Sequence, residues 1–423
     1  MAALALWACS PCFAVNLSEL LLSARARDPA YAIAKAQADA AHQRWRQARA
    51  GMLPVVNFTA SATQANFDEV KVQDRRFSTE LWAYQLTQPL VHPVNNFALA
   101  EAQYQERQAQ AQLAAAESDL AQRVATAWFD VLSAQEVLRA IGAQKEASRL
   151  QLTTAQRSFE LGSVSIADVR EAQAKHAVVE AQEAQADSDL LLKRATLGQI
   201  AGRPVGELSS AEWMKPDLMS RLGPLDEWLR LAREGNPTIA QASHQLVAAG
   251  LEVGKARAGH APSVDFTLNY SYDNASGTTT SRYPSHNKTL QYGVQLTVPI
   301  FAGFGTDAKV GEAVALREKA KGDLYQSDDQ VLLSVKQAYY GLRGALYQLT
   351  ALETAQAANA VAVRANLRGY QVGMRTNVDV LNAQAQLYQT EKDLAKARTD
   401  AWLNYIRLRI LSGRWSENDL HAF

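Results

Sequence analysis

Cysteine is nearly absent from this sequence of 423 residues, and its two cysteines, Cys9 and Cys12, lie close to the N-terminus. A CxxC spacing can mark a redox pair. This pair instead lies in a short apolar stretch, ending in small residues, that is typical of a secretory signal peptide. The stretch predicts cleavage after Ala14, which would leave a mature chain without cysteine. It lacks a basic n-region, so a truncated or misassigned start stays open, as does lipidation at Cys9.

Proline is missing from two long stretches, from Pro93 to Pro204 and from Pro299 to the C-terminus. Soluble domains rarely lack proline for so long unless helix fills the gap, because proline breaks a helix interior. The stretches therefore predict very long helices over 94–160 and 305–371, each about 100 Å long if continuous. Helices of this length must bury a stripe against neighbours, which predicts a coiled-coil-like bundle.

Long apolar runs are also missing. After the N-terminal stretch, the sequence contains no run of about 18 apolar residues, the length at which a helix becomes a candidate to span a bilayer. We therefore predict an exported protein that is not an inner-membrane protein.

The chemistry of enzymes and of nucleic-acid binding is not evident. The 43 basic residues balance 43 acidic residues, so no electrostatic reason exists to expect nucleic acid. The seven histidines are scattered without an HExxH or similar zinc pattern, and there is no Walker A sequence. No nucleophile, base and orienting group occur as a recognisable set. The sequence predicts a protein that is not an enzyme, has no cofactor and cannot power transport itself.

The sequence contains an internal duplication of one structural unit. Gly162 precedes Asp168 by six positions, and Gly373 precedes Asp379 by the same six. Other pairs match with offsets of 208 to 211, among them Asp28–Pro29 with Asn236–Pro237. We therefore predict these domains: a signal peptide 1–14, a first repeat 15–203, a connector or equatorial segment 204–225, a second repeat 226–413 and a tail 414–423.

The sequence of each repeat predicts a helix, two strands and a very long helix, followed by a break and a further helix. The first helices are expected over 17–50 and 226–258. Apolar and polar residues alternate over 263–272 and 290–298, and more weakly near 56–60 and 82–86, which predicts strands. Polar loops are expected over 67–78 and 273–287.

Four strands of about ten residues leave two interpretations open. They fit a transmembrane β-barrel, and they also fit an ordinary antiparallel sheet with one face on a core. Open sheet edges are forbidden in lipid, so the barrel interpretation requires several chains. Two chains would give eight strands and a filled interior, whereas three would give twelve and room for a lumen.

The two glycines of the repeated motif predict tight helical turns. Gly162 and Gly373 suit a left-handed C-cap. Ser165 with Asp168, and Thr376 with Asp379, have the spacing of a capping box. Each motif is therefore interpreted as the hairpin bend of a helical rod.

Several motifs together resemble the TolC family of outer-membrane efflux and secretion channels, also called outer-membrane factors. They are ARAGMLPVVNFTAS, QLTQPL, QLTVPIFAGF, the two glycine–Asp-Val turns and GMRTNVDVLNA at 373–383. The last motif is more similar to the TolC branch than to the lipid-anchored drug-efflux branch. The resemblance implies a homotrimer with a twelve-stranded barrel in outer-membrane lipid, four strands per chain, continued by a long α-helical periplasmic barrel. It also implies docking to a periplasmic adaptor and to an inner-membrane ABC or proton-driven transporter.

The resemblance also implies a periplasmic gate at the two turns. Asp168 would accept bonds from Tyr370 and Arg375. Asp379 would face the axis, where three copies would form a carboxylate ring able to contact a cation. Asn382 stands where the family pattern has a second Asp, and this departure removes three negative charges from the trimer's constriction. Plain helix capping by the two aspartates is the alternative, and it is compatible with gating.

We therefore expect a passive exit duct that carries secreted protein or small toxic compounds. The alternative is an exported coiled-coil protein without a pore, such as an adaptor or a surface stalk. That alternative explains the helices but not two strand pairs in register with a repeat.

Overall fold

The computed structural model of the chain describes residues 17–69, 72–208, 218–278, 281 and 283–415. The predicted signal peptide with Cys9 and Cys12, part of the connector and most of the tail lie outside the described residues. The helices are α1 (Leu17–Arg25), α2 (Pro29–Ala50), α3 (Pro93–Glu160), α4 (Ile166–Ala201), α5 (Leu225–Gly235), α6 (Pro237–Ala258), α7 (Gly305–Gln371) and α8 (Asn377–Leu411). The strands are β1 (Val55–Glu69), β2 (Val72–Val91), β3 (Ser263–Ala275) and β4 (Ser285–Thr297).

Both halves of the chain have the same order of elements: two helices, two strands, a very long helix and a shorter helix. The long helices α3 and α7, of 68 and 67 residues, confirm the prediction made from missing proline. The expectation of one helix over 17–50 and one over 226–258 is wrong, because each is two helices. The reason is Pro29 and Pro237, since the residue before a proline disfavours helical backbone while proline itself starts the next helix well.

The four strands form one antiparallel sheet in the order β1-β2-β3-β4. The central pairing joins the two repeats, with Tyr84 of β2 opposite Tyr270 of β3. Strands β1 and β4 are the edges. Large apolar side chains on these strands stay exposed in the single chain, such as Tyr292 at 71% and Val294 at 64% of their surface. The sheet thus has two open edges and an uncovered apolar surface.

The predicted loops over 67–78 and 273–287 are wrong in extent. Strand β1 continues to Glu69 and β2 begins at Val72, while β3 continues to Ala275 and β4 begins at Ser285. Alternation of apolar and polar residues fades in these segments, but the backbone groups that pair the strands are present in every residue. The strands therefore extend beyond the part that the side-chain pattern reveals.

The chain divides into two compact units. One contains the sheet and comprises the described residues of 35–112 and 239–327, and the other comprises the described residues of 1–34, 113–238 and 328–423. Within the described residues, no helix has both the length and the apolar character needed to cross a membrane.

The helical unit has an aromatic core. Trp128 and Phe129 of α3 are fully buried, as is Leu342 of α7. The Phe129 ring lies nearly parallel to that of Trp402 in α8, with centroids 6.3 Å apart. Buried aromatic residues of this size contribute strongly to stability, since truncating one to alanine costs about 3–5 kcal/mol.

A charged contact fixes the start of α2 within the helical unit. Asp28, buried to 8% exposure, accepts a bond from the Tyr31 backbone N–H at 2.8 Å. Its other oxygen accepts a bond from Arg123 Nη1 at 2.8 Å. Chiefly because of the bond from Arg123, the pKa of Asp28 is lowered. The second repeat has neutral Asn236 at the matching position, where it accepts a bond from the Thr238 N–H at 2.9 Å.

We expect Asp28→Asn to destabilise the protein at pH 7 by about 1.5 kcal/mol, because a charge-assisted bond to Arg123 is lost. A lowered folded-state pKa adds stability that is complete above the unfolded-state pKa of about 4 and is lost as the pH falls through the folded-state pKa. The difference between wild type and variant should therefore shrink below about pH 4. Thermal unfolding midpoints at pH 7 and pH 3.5 measure this.

Asp119→Asn is the matched control, because Asp119 also bonds Arg123 but its side chain is 64% exposed. Its effect should be small at both pH values, since exposed ion pairs contribute little. Equal effects of the two substitutions would contradict the assignment to Asp28.

Candidate functional site

The two predicted hairpin turns have the same backbone geometry. Gly162 and Gly373 both have φ of 75°, in the left-handed region that only glycine adopts without cost. The Gly162 N–H donates to Phe159 O at 2.8 Å, and the Gly373 N–H donates to Tyr370 O at 3.0 Å. Nothing lies within 4 Å of where a Cβ would be at either glycine, so conformation alone requires glycine there.

Capping boxes begin both helices that follow the turns, as the sequence predicts. Ser165 and Thr376 are the N-caps of α4 and α8. Asp168 Oδ2 accepts bonds from the Ser165 N–H and hydroxyl, both at 2.9 Å. Asp379 Oδ2 accepts the same pair of bonds from Thr376, also both at 2.9 Å. Each aspartate therefore has a structural role in its own chain.

Asp379 is biased towards the charged form. The backbone N–H of Thr376, then its hydroxyl, and then the charge of Arg375 lower the pKa of Asp379. The position of Arg375 depends on Gly369, because a Cβ at that glycine would lie 2.7 Å from Arg375 Cγ. Sequence reasoning missed Gly369, whose only signal is a second glycine four positions before Gly373.

The structure brings together only some of the predicted gate residues. Arg375 and Asp379 interact through their charges, whereas no hydrogen bond or ion pair joins Asp168 to Tyr370 or Arg375 in the described part of this one chain. The Asp168 carboxylate is occupied on Oδ2 by its own cap. Tyr370 is half-buried, and Arg375 and Asn382 are exposed. The predicted link therefore is not made within a single chain.

A different contact joins the two hairpins within the chain. Gln151 of α3 donates through Nε2 to Asn377 Oδ1 at the start of α8, and these residues are 5% and 4% exposed. Beside this bond, Leu381 of α8 packs against Val169 and Ala172 of α4. Sequence reasoning missed Gln151 and Asn377, because a lone polar residue on a helix gives no sign that it will be buried.

The described residues contain no group of three His, Cys, Asp or Glu side chains arranged to hold a metal ion. What the site has instead is two equivalent turns, capped by carboxylates and joined by one buried amide pair. Such a site can hold helix ends in position.

Comparison with known proteins identifies the family. The model of the family described as "Outer membrane efflux protein" matches residues 20–203 and again residues 228–414. The chain belongs to the outer membrane efflux protein family. The double match also confirms the two repeats.

Individual known proteins match this chain over most of their length. The chain is 30% identical to Outer membrane protein TolC of Vibrio cholerae, covering 97% of this chain and 93% of that protein. It is 28% identical to Alkaline protease secretion protein AprF of Pseudomonas aeruginosa, covering 96% and 86%. The crystal structure of the outer membrane protein VceC from Vibrio cholerae superposes with a TM-score of 0.80 at 19% identity, covering 94% and 96%.

Membership in the outer membrane efflux protein family establishes what kind of protein this is. It is an outer-membrane channel with a periplasmic helical extension, and it serves as an exit duct for export. The predicted fold class is confirmed, namely a trimeric barrel to which each chain contributes four strands, continued by α-helices. Channels of this family work with adaptors and inner-membrane transporters and are not enzymes. The alternative of a coiled-coil protein without a pore finds no support.

We expect Gly373→Ala to destabilise the α7–α8 turn by about 1 kcal/mol, because alanine has a steric penalty at positive φ. Gly373→Asn should cost less than half as much, since asparagine tolerates this region better. Unfolding midpoints and hydrogen exchange of the first turn of α8 measure the effect.

Gly344→Ala, inside α7 with open space around the glycine, is the control with the opposite sign. It should stabilise the helix by about 0.5–1 kcal/mol. If alanine and asparagine had equal effects at position 373, positive φ would not be the reason for glycine there.

We expect Gln151→Leu or Asn377→Leu alone to cost about 1–3 kcal/mol, because each leaves a buried amide without its partner. The double variant should cost clearly less than the sum. A double-mutant cycle on unfolding free energy measures this coupling. Strictly additive costs would contradict a bond between the two side chains.

Proposed function

We propose that the chain is the passive exit duct of a tripartite machine that carries secreted protein, as in type I secretion, or small toxic compounds. The name of AprF refers to protease secretion, which favours a protein cargo. Since the sequence has no Walker A motif, the energy would come from an ABC or proton-driven transporter in the inner membrane. A periplasmic adaptor would connect that transporter to this chain.

The sheet supports a closed trimer. Edge strand β4 of one chain would pair with edge strand β1 of the next, because a sheet in lipid must satisfy every backbone group. The exposed apolar residues of β4, including Tyr292 and Val294, would then face lipid. Three chains would give the twelve strands expected from the sequence.

The two turns would form the periplasmic gate of this trimer. Asp168 Oδ1 has no partner among the described residues, so it can accept a bond from Tyr370 or Arg375 of a neighbouring chain. Arg375 is exposed and therefore available for such a bond. Gly162 and Gly373 would act as the hinges of the turns. Opening would require an adaptor to break the links between chains.

The axis of the gate would be lined by Asp379. Three copies would form a ring whose carboxylates stay charged at neutral pH, because the capping bonds lower the pKa of Asp379. Such a ring can contact a cation. Asn382, one helical turn further along α8, adds no charge, so a strong cation block is not expected.

The domain limits follow the same proposal. Residues 1–14 would direct export, and the repeats would span 15–203 and 226–413. The connector 204–225 would form an equatorial segment, followed by the tail 414–423. Residues 209–217 and 416–423 lie outside the described residues.

We expect the double substitution Arg375→Ala and Tyr370→Phe to raise single-channel conductance several-fold in planar bilayers. The wild-type channel should show small, flickering conductance, since intact links hold the turns together. Detergent-purified protein, verified as a folded trimer, is the sample for both.

Arg364→Ala is the matched control, because Arg364 is an exposed arginine on the same helix α7 as Tyr370. It should leave conductance unchanged. If the wild type conducts and the double substitution does not change its conductance, the protein is still a duct but other residues form its gate. A folded trimer without any conductance would overturn the proposal of an open-and-closed duct.

A further inference from the structure

An open cavity of about 680 Å³ lies beside the C-terminal end of α4 in the helical unit. Helix α4 has 36 residues, so this end is about 50 Å from the turn at Gly162. The cavity is therefore distinct from the candidate gate. Three arginines line it, Arg27, Arg194 and Arg203, and none of its described lining residues is acidic.

The backbone at the end of α4 holds the first of these arginines in place. Gly202 is the left-handed C-cap of α4, with φ of 70°. Arg27 Nη1 donates to Gly202 O at 2.5 Å. A Cβ at Gly202 would lie 2.3 Å from Arg27 Cδ, so only glycine permits this approach. The Arg27 side chain thus lies against the end of α4 at the cavity.

The other two arginines have donors that the chain does not satisfy. The Nε atoms of Arg194 and Arg203 are both buried and have no hydrogen-bond partner among the described residues. Arg203 Nη2 forms an ion pair with Glu19 Oε2, but their distance of 3.5 Å is too long for a strong hydrogen bond. A buried donor without a partner is costly, and an anion in the cavity would supply the acceptor that these donors lack.

The second repeat allows the residues of this cavity to be compared with their counterparts in the same chain. In the second repeat, Gly235 corresponds to Arg27, Tyr405 to Arg194, and Arg409 to Gly198. Arg409 bonds back to Arg414 O at 2.9 Å. Gly235 lies directly against Gly413, the counterpart of Gly202, with no room for a Cβ between them. The second repeat thus keeps the same helix end but replaces two of the three arginines.

The residues that line the cavity indicate which class of ligand could bind there. Leu191, Ala195, Pro204 and Val205 add apolar surface to the lining of the cavity. Guanidinium groups prefer carboxylate and phosphate, which they bind with two parallel bonds. A ligand with several such groups on a compact body matches both features.

We propose that this pocket, defined by Arg27, Arg194 and Arg203, binds a polyanion that carries carboxylate or phosphate groups. Arg194 and Arg203 supply the unsatisfied donors, and Arg27 adds positive charge at the rim. The pocket belongs to the first repeat and does not depend on the proposed gate.

The test is calorimetric titration of the full-length protein in detergent with citrate and, separately, with pyrophosphate. We expect saturable binding of one anion per chain. Arg194→Gln should weaken that binding at least tenfold. Arg194→Tyr should do the same, and it introduces the residue that the second repeat already has at this place. Arg170→Gln removes the same charge from the other end of α4 and should leave affinity unchanged.

The two probes separate the sources of the anion. Binding of citrate alone would assign the pocket to a carboxylate-bearing ligand, and binding of pyrophosphate alone to a phosphate-bearing one. Binding of both would support the polyanion class as stated. The proposal is overturned if neither anion binds the folded wild type saturably. It is equally overturned if Arg194→Gln and Arg170→Gln have the same effect.

Discussion

The unpaired backbone groups of the two edge strands determine which assembly this chain must form. Strands β1 and β4 each have one neighbour within the chain, so one row of N–H and C=O groups on each strand points away from the sheet. In lipid, every such group needs a partner, and only closure of the sheet provides one. A single chain therefore cannot be the working form of a channel in the outer membrane. In the proposed trimer, pairing of β4 of one chain with β1 of the next would meet this requirement.

Duplication provides the second constraint, because it fixes where equivalent residues must lie. Both repeats end a long helix with a left-handed glycine and begin the next helix with a hydroxyl residue and an aspartate. Between these fixed points the repeats have diverged. Asp28 and Asn236 perform the same capping task, one with a charge and one without. The backbone geometry is thus more strongly constrained than the charge placed on it.

The sequence allowed the long helices to be predicted closely, because missing proline and the glycine that follows each helix mark them without tertiary information. The capping boxes could also be predicted, since their bonds are local. Strand ends could not, because pairing continues where the apolar pattern stops. The bond between Gln151 and Asn377 could not be predicted either. It depends on which faces of α3 and α8 meet, and no local pattern in either helix specifies that.

The capping boxes have a consequence for how the charge of the channel can change in evolution. The Asp379 carboxylate also caps the N-terminus of α8. Replacing Asp379 to change the ion preference of the channel would therefore destabilise the fold. Asn382 is exposed and takes no part in the capping box. The charge at residue 382 can therefore change in evolution without removing the capping bonds of the turn.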